Sequence, residues 1–96
     1  MSERKVYNPK LVSIGSIISG KRLCLGEECK TRKGFIEDRS ERLFNNEDWI
    51  SERYLSSIEQ GKNIPSFEKF IQLSIALEED PIDLFSEILN AYTTIN

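Results

Sequence analysis

The sequence contains no histidine, only two cysteines, and no apolar run long enough to cross a bilayer. A structural zinc site usually needs four Cys or His ligands, so Cys24 and Cys29 are expected to be ordinary thiols. A transmembrane helix needs about 20 mostly apolar residues, whereas charged residues make up 30% of this chain. These absences predict a protein with no metal site, no cofactor and no membrane-spanning segment.

The chain also lacks the residue patterns of common catalytic sites. It has no histidine to act as a general base, no glycine-rich phosphate-binding loop, and no nucleophile with an adjacent base. We therefore do not expect an enzyme. The first ten residues, MSERKVYNPK, lack the apolar region and cleavage site of a secretory signal. This predicts a cytoplasmic protein, whose residues 1–8 form a flexible arm.

The 96 residues, 39% of them hydrophobic, are enough for one domain and too few for two. The net charge of −3 is unevenly distributed along the chain. Residues 1–33 contain eight Lys or Arg and three acidic residues, a net charge of +5, whereas residues 64–96 contain one Lys and six acidic residues, a net charge of −5. A polyanion is therefore expected to bind only one end of the molecule.

The apolar spacing predicts an all-α protein. Leu11, Ile14, Ile18 and Leu25 recur at intervals of three, four and seven, which is typical of one face of a helix. Five helices are expected over 9–25, 38–45, 51–60, 67–77 and 81–92, in a domain spanning 9–92 and followed by a short tail at 93–96.

Turn and cap residues separate these helices. Ser51 and Ser66 suit N-caps, Asp80 suits a cap followed by Pro81, and Gly61 suits a helix end. Gly34 suits a break before the second helix, and Asn45 and Asn46 suit a turn after it. Phe67 is expected to be buried by the fourth helix. A start of the third helix at residue 46 stays open as an alternative. Residues 27–34, EECKTRKG, are expected to form a polar loop.

Three segments together resemble a known family. They are KRLCLG at the end of the first helix, SERYLSSIEQGKNIPS over residues 51–66, and FIQLSIALEEDPIDLF. This arrangement resembles the XRE family of helix-turn-helix DNA-binding domains, which includes phage Cro and the lambdoid repressors. The resemblance implies a compact five-helix bundle of the lambda-repressor type and a transcriptional regulator, most often a repressor, that inserts its third helix into the DNA major groove.

A buried ion pair is also implied by the resemblance. In this family an arginine late in the first helix pairs with a glutamate near the end of the recognition helix, and Arg22 and Glu59 occupy these positions. The residue pattern agrees, because Arg22 shares the apolar face of the first helix and Glu59 lies one turn after Leu55. Two inward-pointing charges are tolerated only when they meet, so we expect them to pair.

The other face of the third helix is expected to contact DNA. Arg53 can donate two hydrogen bonds to a guanine edge, and Glu52 can accept one from cytosine. The segment after this helix matches a family segment that contacts the DNA backbone. The expected DNA-binding residues are Ser51, Glu52, Arg53, Tyr54, Ser57, Lys62, Asn63 and Lys21, and the basic group at 30–33 is either a further phosphate contact or a solvated loop.

The chain departs from the family between its first and third helices. The 24 residues between Gly26 and Ser51 exceed the usual length, which predicts an insertion between helices 1 and 2, around residues 27–35. This insertion is expected to be either a basic arm that follows DNA or a surface bulge. Trp49 stands where a turn glycine is common, so the angle between helices 2 and 3 is left open.

Two kinds of partner are expected besides DNA. Helix 5 and the tail offer apolar Ile88, Leu89, Tyr92 and Ile95, which either form a homodimer surface or close the core. An alternative function keeps the fold as a protein-interaction module, such as an antitoxin or regulator subunit, with weak or no DNA binding. Its acidic C-terminal end would bind a basic partner through Glu78, Glu79, Asp80, Asp83 and Glu87.

Overall fold

A computed structural model describes residues 8–94, which form an all-helical globule. Residues 1–7 of the expected arm and residues 95–96 of the expected tail, including Ile95, lie outside the described residues, whereas Thr93 and Thr94 belong to the last helix and not to a tail. None of the helices described has both the length and the apolar character that a membrane crossing requires. The elements are α1 (Pro9–Leu23), a 3-10 turn (Glu27–Cys29), α2 (Arg32–Leu43), α3 (Glu52–Glu59), α4 (Phe67–Ala76) and α5 (Pro81–Thr94).

Helix α1 packs against both α3 and α5. Asn8 caps it, because the Asn8 side chain accepts a hydrogen bond from the Lys10 backbone amide at 3.0 Å. Its inward positions follow the predicted spacing, since Ile14, Ile18 and Arg22 are all buried. The helix ends at Leu23, two residues earlier than predicted. This geometry directs the Arg22 side chain into the interior next to α3.

The second helix differs most from the prediction. We expected it over 38–45, with a loop before it, but α2 begins at Arg32 and ends at Leu43. Thr31 is its N-cap and accepts a hydrogen bond from the Gly34 amide at 3.0 Å. The expectation of a basic arm or surface bulge at 27–35 is wrong, because Cys29 and Phe35 are fully buried. These two residues anchor the segment in the core, whereas most of its polar residues stay exposed.

The connection between α2 and α3, residues 44–51, is held in place by Trp49. Its buried indole donates to the backbone oxygen of Ile36 at 3.1 Å and stacks near Phe35 and Phe44, with ring centroids 5.8 and 4.9 Å away. Asn45 and Asn46 make the turn, as predicted, with φ values of 56° and 64°. The tryptophan thus anchors the connection to α2.

The caps of the last three helices follow the prediction. Ser51 and Ser66 accept hydrogen bonds from backbone amides three residues later, at 3.0 and 3.2 Å. Asp80 accepts from the amide of Ile82 at 2.8 Å, with Pro81 as the first residue of α5. Phe67 was expected in the core, but it is 83% exposed, because the first turn of α4 projects beyond the core residues Leu73 and Leu77.

A second buried arginine joins α2 to the end of α4. Arg39 donates to the Asp38 carboxylate at 2.5 Å, to Glu78 at 2.8 Å and to the backbone oxygen of Ala76 at 3.3 Å. Hydrogen bonds from Arg42 and Arg39 lower the pKa of Asp38. The charge of Arg39 is therefore satisfied although its side chain is only 5% exposed.

Candidate nucleic-acid interface

Helix α3 has a solvent-facing first turn. Ser51, Glu52 and Arg53 are all exposed, and Ser51 caps the helix through its hydroxyl. Among residues 8–94, no carboxylate lies within ion-pair distance of Arg53. Ser57, one turn further along, is half-buried. A free guanidinium beside two hydroxyls and the positive end of a helix is suited to contact a polyanion.

Tyr54 differs from its neighbours on this turn. It is half-buried, packs against the core, and its hydroxyl accepts a hydrogen bond from the Ser66 backbone amide at 3.0 Å. The ring lines a shallow groove shared with Trp49 and Lys69. Tyr54 therefore braces α3 against the start of α4, and its hydroxyl is already engaged as an acceptor.

The opposite face of α3 is buried and ends in a carboxylate. Leu55 and Ile58 are fully buried, and the Glu59 side chain is only 1% exposed. The predicted pair with Arg22 is present: Arg22 Nε donates to Glu59 Oε2 at 2.8 Å and Nη2 donates to Oε1 at 3.0 Å. Such a two-point contact between planar groups fixes direction as well as distance.

A second arginine reaches the same carboxylate. Arg32, at the start of α2, donates from Nε to Glu59 Oε1 at 2.8 Å. Arg22 also donates from Nη1 to the backbone oxygens of Cys29 and Lys30, at 2.9 and 3.0 Å. The Arg22–Glu59–Arg32 cluster thus joins three parts of the chain: α1, the segment between α1 and α2, and the end of α3.

The backbones of α1 and α3 approach very closely at this cluster. A Cβ atom on Gly15 would lie 2.5 Å from the backbone oxygens of both Ile58 and Glu59. A Cβ atom on Gly61, whose φ is 78°, would lie similarly close to the backbone of Val12. These two glycines let α1 lie directly against the end of α3, so that α3 is fixed both by contact and by charge.

The residues that follow α3 are exposed. Lys62 and Asn63 come directly after Gly61 and point to solvent, and the Lys62 amide donates to the Ser57 backbone oxygen at 2.8 Å. They therefore lie at the opposite end of α3 from Arg53. This arrangement leaves one cation at each end of the short helix.

Lys21, predicted as a DNA contact, is not brought together with the exposed turn of α3. Its ammonium binds Glu87 at 3.0 Å and Glu79 at 3.4 Å. The hydrogen bond with Glu87 is the main reason that the pKa of Lys21 is raised. Lys21 therefore joins α1 to the acidic end of the chain, and its charge is already compensated.

The residues of the basic group at 30–33 form contacts within the chain. Lys30 donates to the backbone oxygen of Leu23 at 3.4 Å, Thr31 caps α2, and Arg32 binds Glu59. Lys33, at 69% exposed, lies 3.7 Å from Glu37. Lys33 and the exposed Lys30 resemble the solvated charges that one of the two sequence interpretations expected, whereas Arg32 does not.

An apolar groove lies between the starts of α4 and α5. It has a volume of about 490 Å³, and apolar side chains form nearly all of its surface. Ile82, Phe85, Leu89 and Tyr92 continue this surface along α5 with exposures of 75, 53, 46 and 38%. Much of the nearby acidic charge is compensated, because Glu78 binds Arg39 while Glu79 and Glu87 bind Lys21.

One group of side chains has the composition of a metal site. The ligand atoms of Glu28, Cys29 and Asp38 lie within 4.8 Å of one another. However, Arg39 and Arg42 already occupy the Asp38 carboxylate. Burial raises the pKa of the Cys29 thiol, which favours its protonated form. These residues do not form a suitable cation site, and Cys24 and Cys29 are both free thiols.

Three residues important to this region were not identified from the sequence. The residue pattern places Arg32 in a polar loop and Trp49 at a turn, and it gives no role to Lys69. The Lys69 ammonium donates a hydrogen bond to the backbone oxygen of Trp49. It donates another to the side-chain oxygen of Gln72, at 3.0 Å. The only available signal was the length of the segment 26–51, which gives no indication of its path.

Comparison with known protein families, with curated proteins and with solved structures found no match to this chain.

Proposed function

We propose that this protein binds double-stranded DNA as a sequence-specific transcriptional regulator, most simply a repressor, and reads the major groove with α3. In this proposal α2 and α3 form a helix-turn-helix unit of the lambda-repressor type. The observation that carries it is the division of α3 into two faces. Leu55, Ile58 and Glu59 are buried and fixed, whereas Glu52 and Arg53 are exposed.

The exposed residues supply suitable chemistry for DNA. Arg53 would donate two hydrogen bonds to a guanine edge, and Glu52 would accept from a cytosine amino group. Ser51 and Ser57 have hydroxyls that suit either a base or a phosphate. Lys62 would contact the backbone at the far end of the helix. The resemblance of residues 51–66 to the XRE family supports the same assignment.

The connection between the two helices bears on this proposal. A helix-turn-helix pair is usually joined by about three to four residues, whereas residues 44–51 lie between α2 and α3. Trp49 fills the space that a longer connection would otherwise leave open, because its ring is buried between Phe35 and Phe44. The longer connection therefore remains compatible with a fixed angle between α2 and α3.

The test begins with selection of a preferred site from randomised duplex DNA. Arg53→Gln should weaken binding to that site by about tenfold or more and relax the preference at one base pair, because a bidentate contact to guanine is lost. Lys21→Gln removes the same charge from a lysine bound by Glu79 and Glu87, and should leave affinity unchanged. Fluorescence anisotropy measures both. Absence of salt-dependent binding to any duplex would contradict the proposal.

We further propose that the protein binds DNA as a homodimer formed through α5 and the tail. Ile82, Phe85, Leu89 and Tyr92 are spaced by three, four and three residues, which is the spacing of a helix–helix seam. Phe85 packs against Phe70 and Lys10 lies over the Tyr92 ring, but all four side chains stay partly exposed, and an exposed apolar stripe of this kind usually marks an interface. A two-fold dimer would present two copies of α3 to a palindromic operator.

A second candidate function is a protein-interaction module with little DNA binding, such as an antitoxin or regulator subunit. The apolar groove between α4 and α5 favours it more than the acidic end does, since Phe67 and Ile82 are largely exposed. Glu78, Glu79 and Glu87 already bind cations of the same chain, whereas Asp83 has no ion-pair partner within residues 8–94. Capture of a partner that survives Arg53→Gln and fails on Ile82→Ser would support this function.

A further inference from the structure

We infer that Arg32 is a positioning residue that sets the orientation of α3 through Glu59. This inference rests on the proposed role of α3 in DNA binding. Arg32 belongs to the segment whose extra length departs from the XRE pattern, so it adds to the expected Arg22–Glu59 pair. Its contact with Glu59 would give this segment a role different from both the basic arm and the surface bulge expected from the sequence.

The hydrogen bonds of the cluster restrain Arg22, Arg32 and Glu59 together. Glu59 accepts three hydrogen bonds, two from Arg22 and one from Arg32, at distances of 2.8 to 3.0 Å. The remaining group of Arg22 binds the backbone of Cys29 and Lys30, which precede Arg32. The segment that holds Arg32 is therefore itself held by Arg22, so each arginine limits the movement of the other.

Helix α3 needs such a restraint because it is short. It spans only Glu52–Glu59, and a helix of this length is marginal without tertiary contacts. Leu55 and Ile58 supply burial, but apolar contacts are not directional and tolerate rotation about the helix axis. Charge-assisted hydrogen bonds at Glu59 are directional. They therefore add a directional restraint on the helix that carries Arg53 to the restraint from close backbone contact.

Arg32 is also placed to alter orientation without unfolding the protein. Its side chain is 32% exposed, whereas that of Arg22 is 6% exposed. When Arg32 is removed, Arg22 still neutralises Glu59, so no uncompensated buried charge remains. The expected effect is a looser α3 within a folded domain.

The main competing role for Arg32 is direct contact with a DNA phosphate. The two roles predict different salt dependence, since each phosphate contact adds roughly one released counterion to the slope of log affinity against log salt. Loss of a positioning residue lowers affinity and leaves this slope unchanged. Loss of a phosphate ligand reduces the slope by about one.

The experiment compares Arg32→Gln with Lys33→Gln. Both variants lose one positive charge from adjacent positions of α2, but Lys33 is solvent-facing and pairs only with Glu37. For Arg32→Gln we expect affinity for the selected duplex to fall about fivefold to tenfold with an unchanged salt slope. For Lys33→Gln we expect less than about a twofold change.

A second measurement needs no DNA. Hydrogen exchange of the α3 amides should accelerate about tenfold in Arg32→Gln, measured against amides of α1 in the same sample, and stay unchanged in Lys33→Gln. Unchanged exchange, or a salt slope reduced by one, would overturn the positioning role. If the wild-type protein binds no duplex while exchange still accelerates, the DNA-binding proposal fails and the Arg32–Glu59 restraint stands.

Discussion

Two sides of this molecule reverse the usual distribution of side chains. Where α1 meets α3, charged Arg22 and Glu59 are buried. At the starts of α4 and α5, apolar Phe67 and Ile82 are exposed. The buried charges have their partners within the chain, since Glu59 alone accepts three hydrogen bonds. The exposed apolar side chains have no comparable cover within residues 8–94.

The contrast separates two physical problems. A buried ion pair contributes little net stability compared with apolar side chains, but it is costly to disrupt and it fixes direction. An exposed apolar stripe costs free energy in water until another surface covers it. The α1–α3 side is therefore complete within one chain and suited to hold a helix in one orientation. The α4–α5 side is suited to association.

The largest expected effect on stability comes from removing an arginine of the buried cluster between α1 and α3. Arg22→Met leaves Glu59 with only Arg32 as a partner and removes the hydrogen bonds to Cys29 and Lys30. We expect the free energy of unfolding to fall by about 3 to 5 kcal/mol, because Glu59 keeps only one of its three hydrogen bonds and the carbonyl groups of Cys29 and Lys30 lose their donor. Urea denaturation followed by circular dichroism measures it.

Arg42→Met is the matched control, because Arg42 also pairs with a carboxylate, Asp38, but its side chain is 64% exposed. Its loss should cost much less than the loss of Arg22, because water already solvates the Arg42 guanidinium. Equal losses in the two variants would mean that burial does not distinguish the two pairs.

A smaller effect tests the backbone contact on the same side. Gly15→Ala places a methyl group 2.5 Å from two carbonyl oxygens of α3, so the helices must separate. We expect a loss of about 2 to 3 kcal/mol. In Gly20→Ala the added methyl group meets nothing within 4 Å, and the gain in helix propensity should stabilise the protein by about 0.5 to 1 kcal/mol. Thermal unfolding of the two variants should therefore shift in opposite directions.

The smallest effect on stability is expected on the apolar side. Phe85→Ser should lower the unfolding free energy of the monomer by about 1 to 2 kcal/mol, because the ring is 53% exposed and packs edge to face against Phe70. Its neighbour Leu84 is fully buried, so Leu84→Ser should cost several times more. Sedimentation velocity should show a wild-type dimer that Phe85→Ser dissociates. A wild-type monomer at every concentration would show that the dimer proposal is wrong.

The parts of the fold that the sequence predicted depend on local signals. Ser51, Ser66 and Asp80 cap helices because their side chains satisfy amides two or three residues away. The Arg22–Glu59 pair is a long-range contact, but two charges at apolar positions of separate helices already require each other. These features needed no knowledge of the path of the chain between them.

The parts that the sequence did not predict depend on tertiary packing. Gly34 was interpreted as a break before α2, but it lies within α2, where a Cβ would meet the backbone oxygen of Glu28 at 2.5 Å. Phe67 fits the apolar pattern of α4, yet it lies beyond the core. Nothing in the neighbourhood of Arg32 indicates that it binds a residue 27 positions away. The apolar spacing predicts which face of a helix is buried, but it does not predict which residues cover that face.

Trp49 is the only tryptophan of the chain, and its buried indole packs against Phe35 and Phe44, in α2 and at its end. Its emission therefore reports how the connection that leads into α3 packs on α2, without any label. A red shift accompanied by access to a soluble quencher would signal that water has entered beside the ring. Trp49 fluorescence therefore detects any loosening of the connection that leads into α3, and it can be measured with and without DNA.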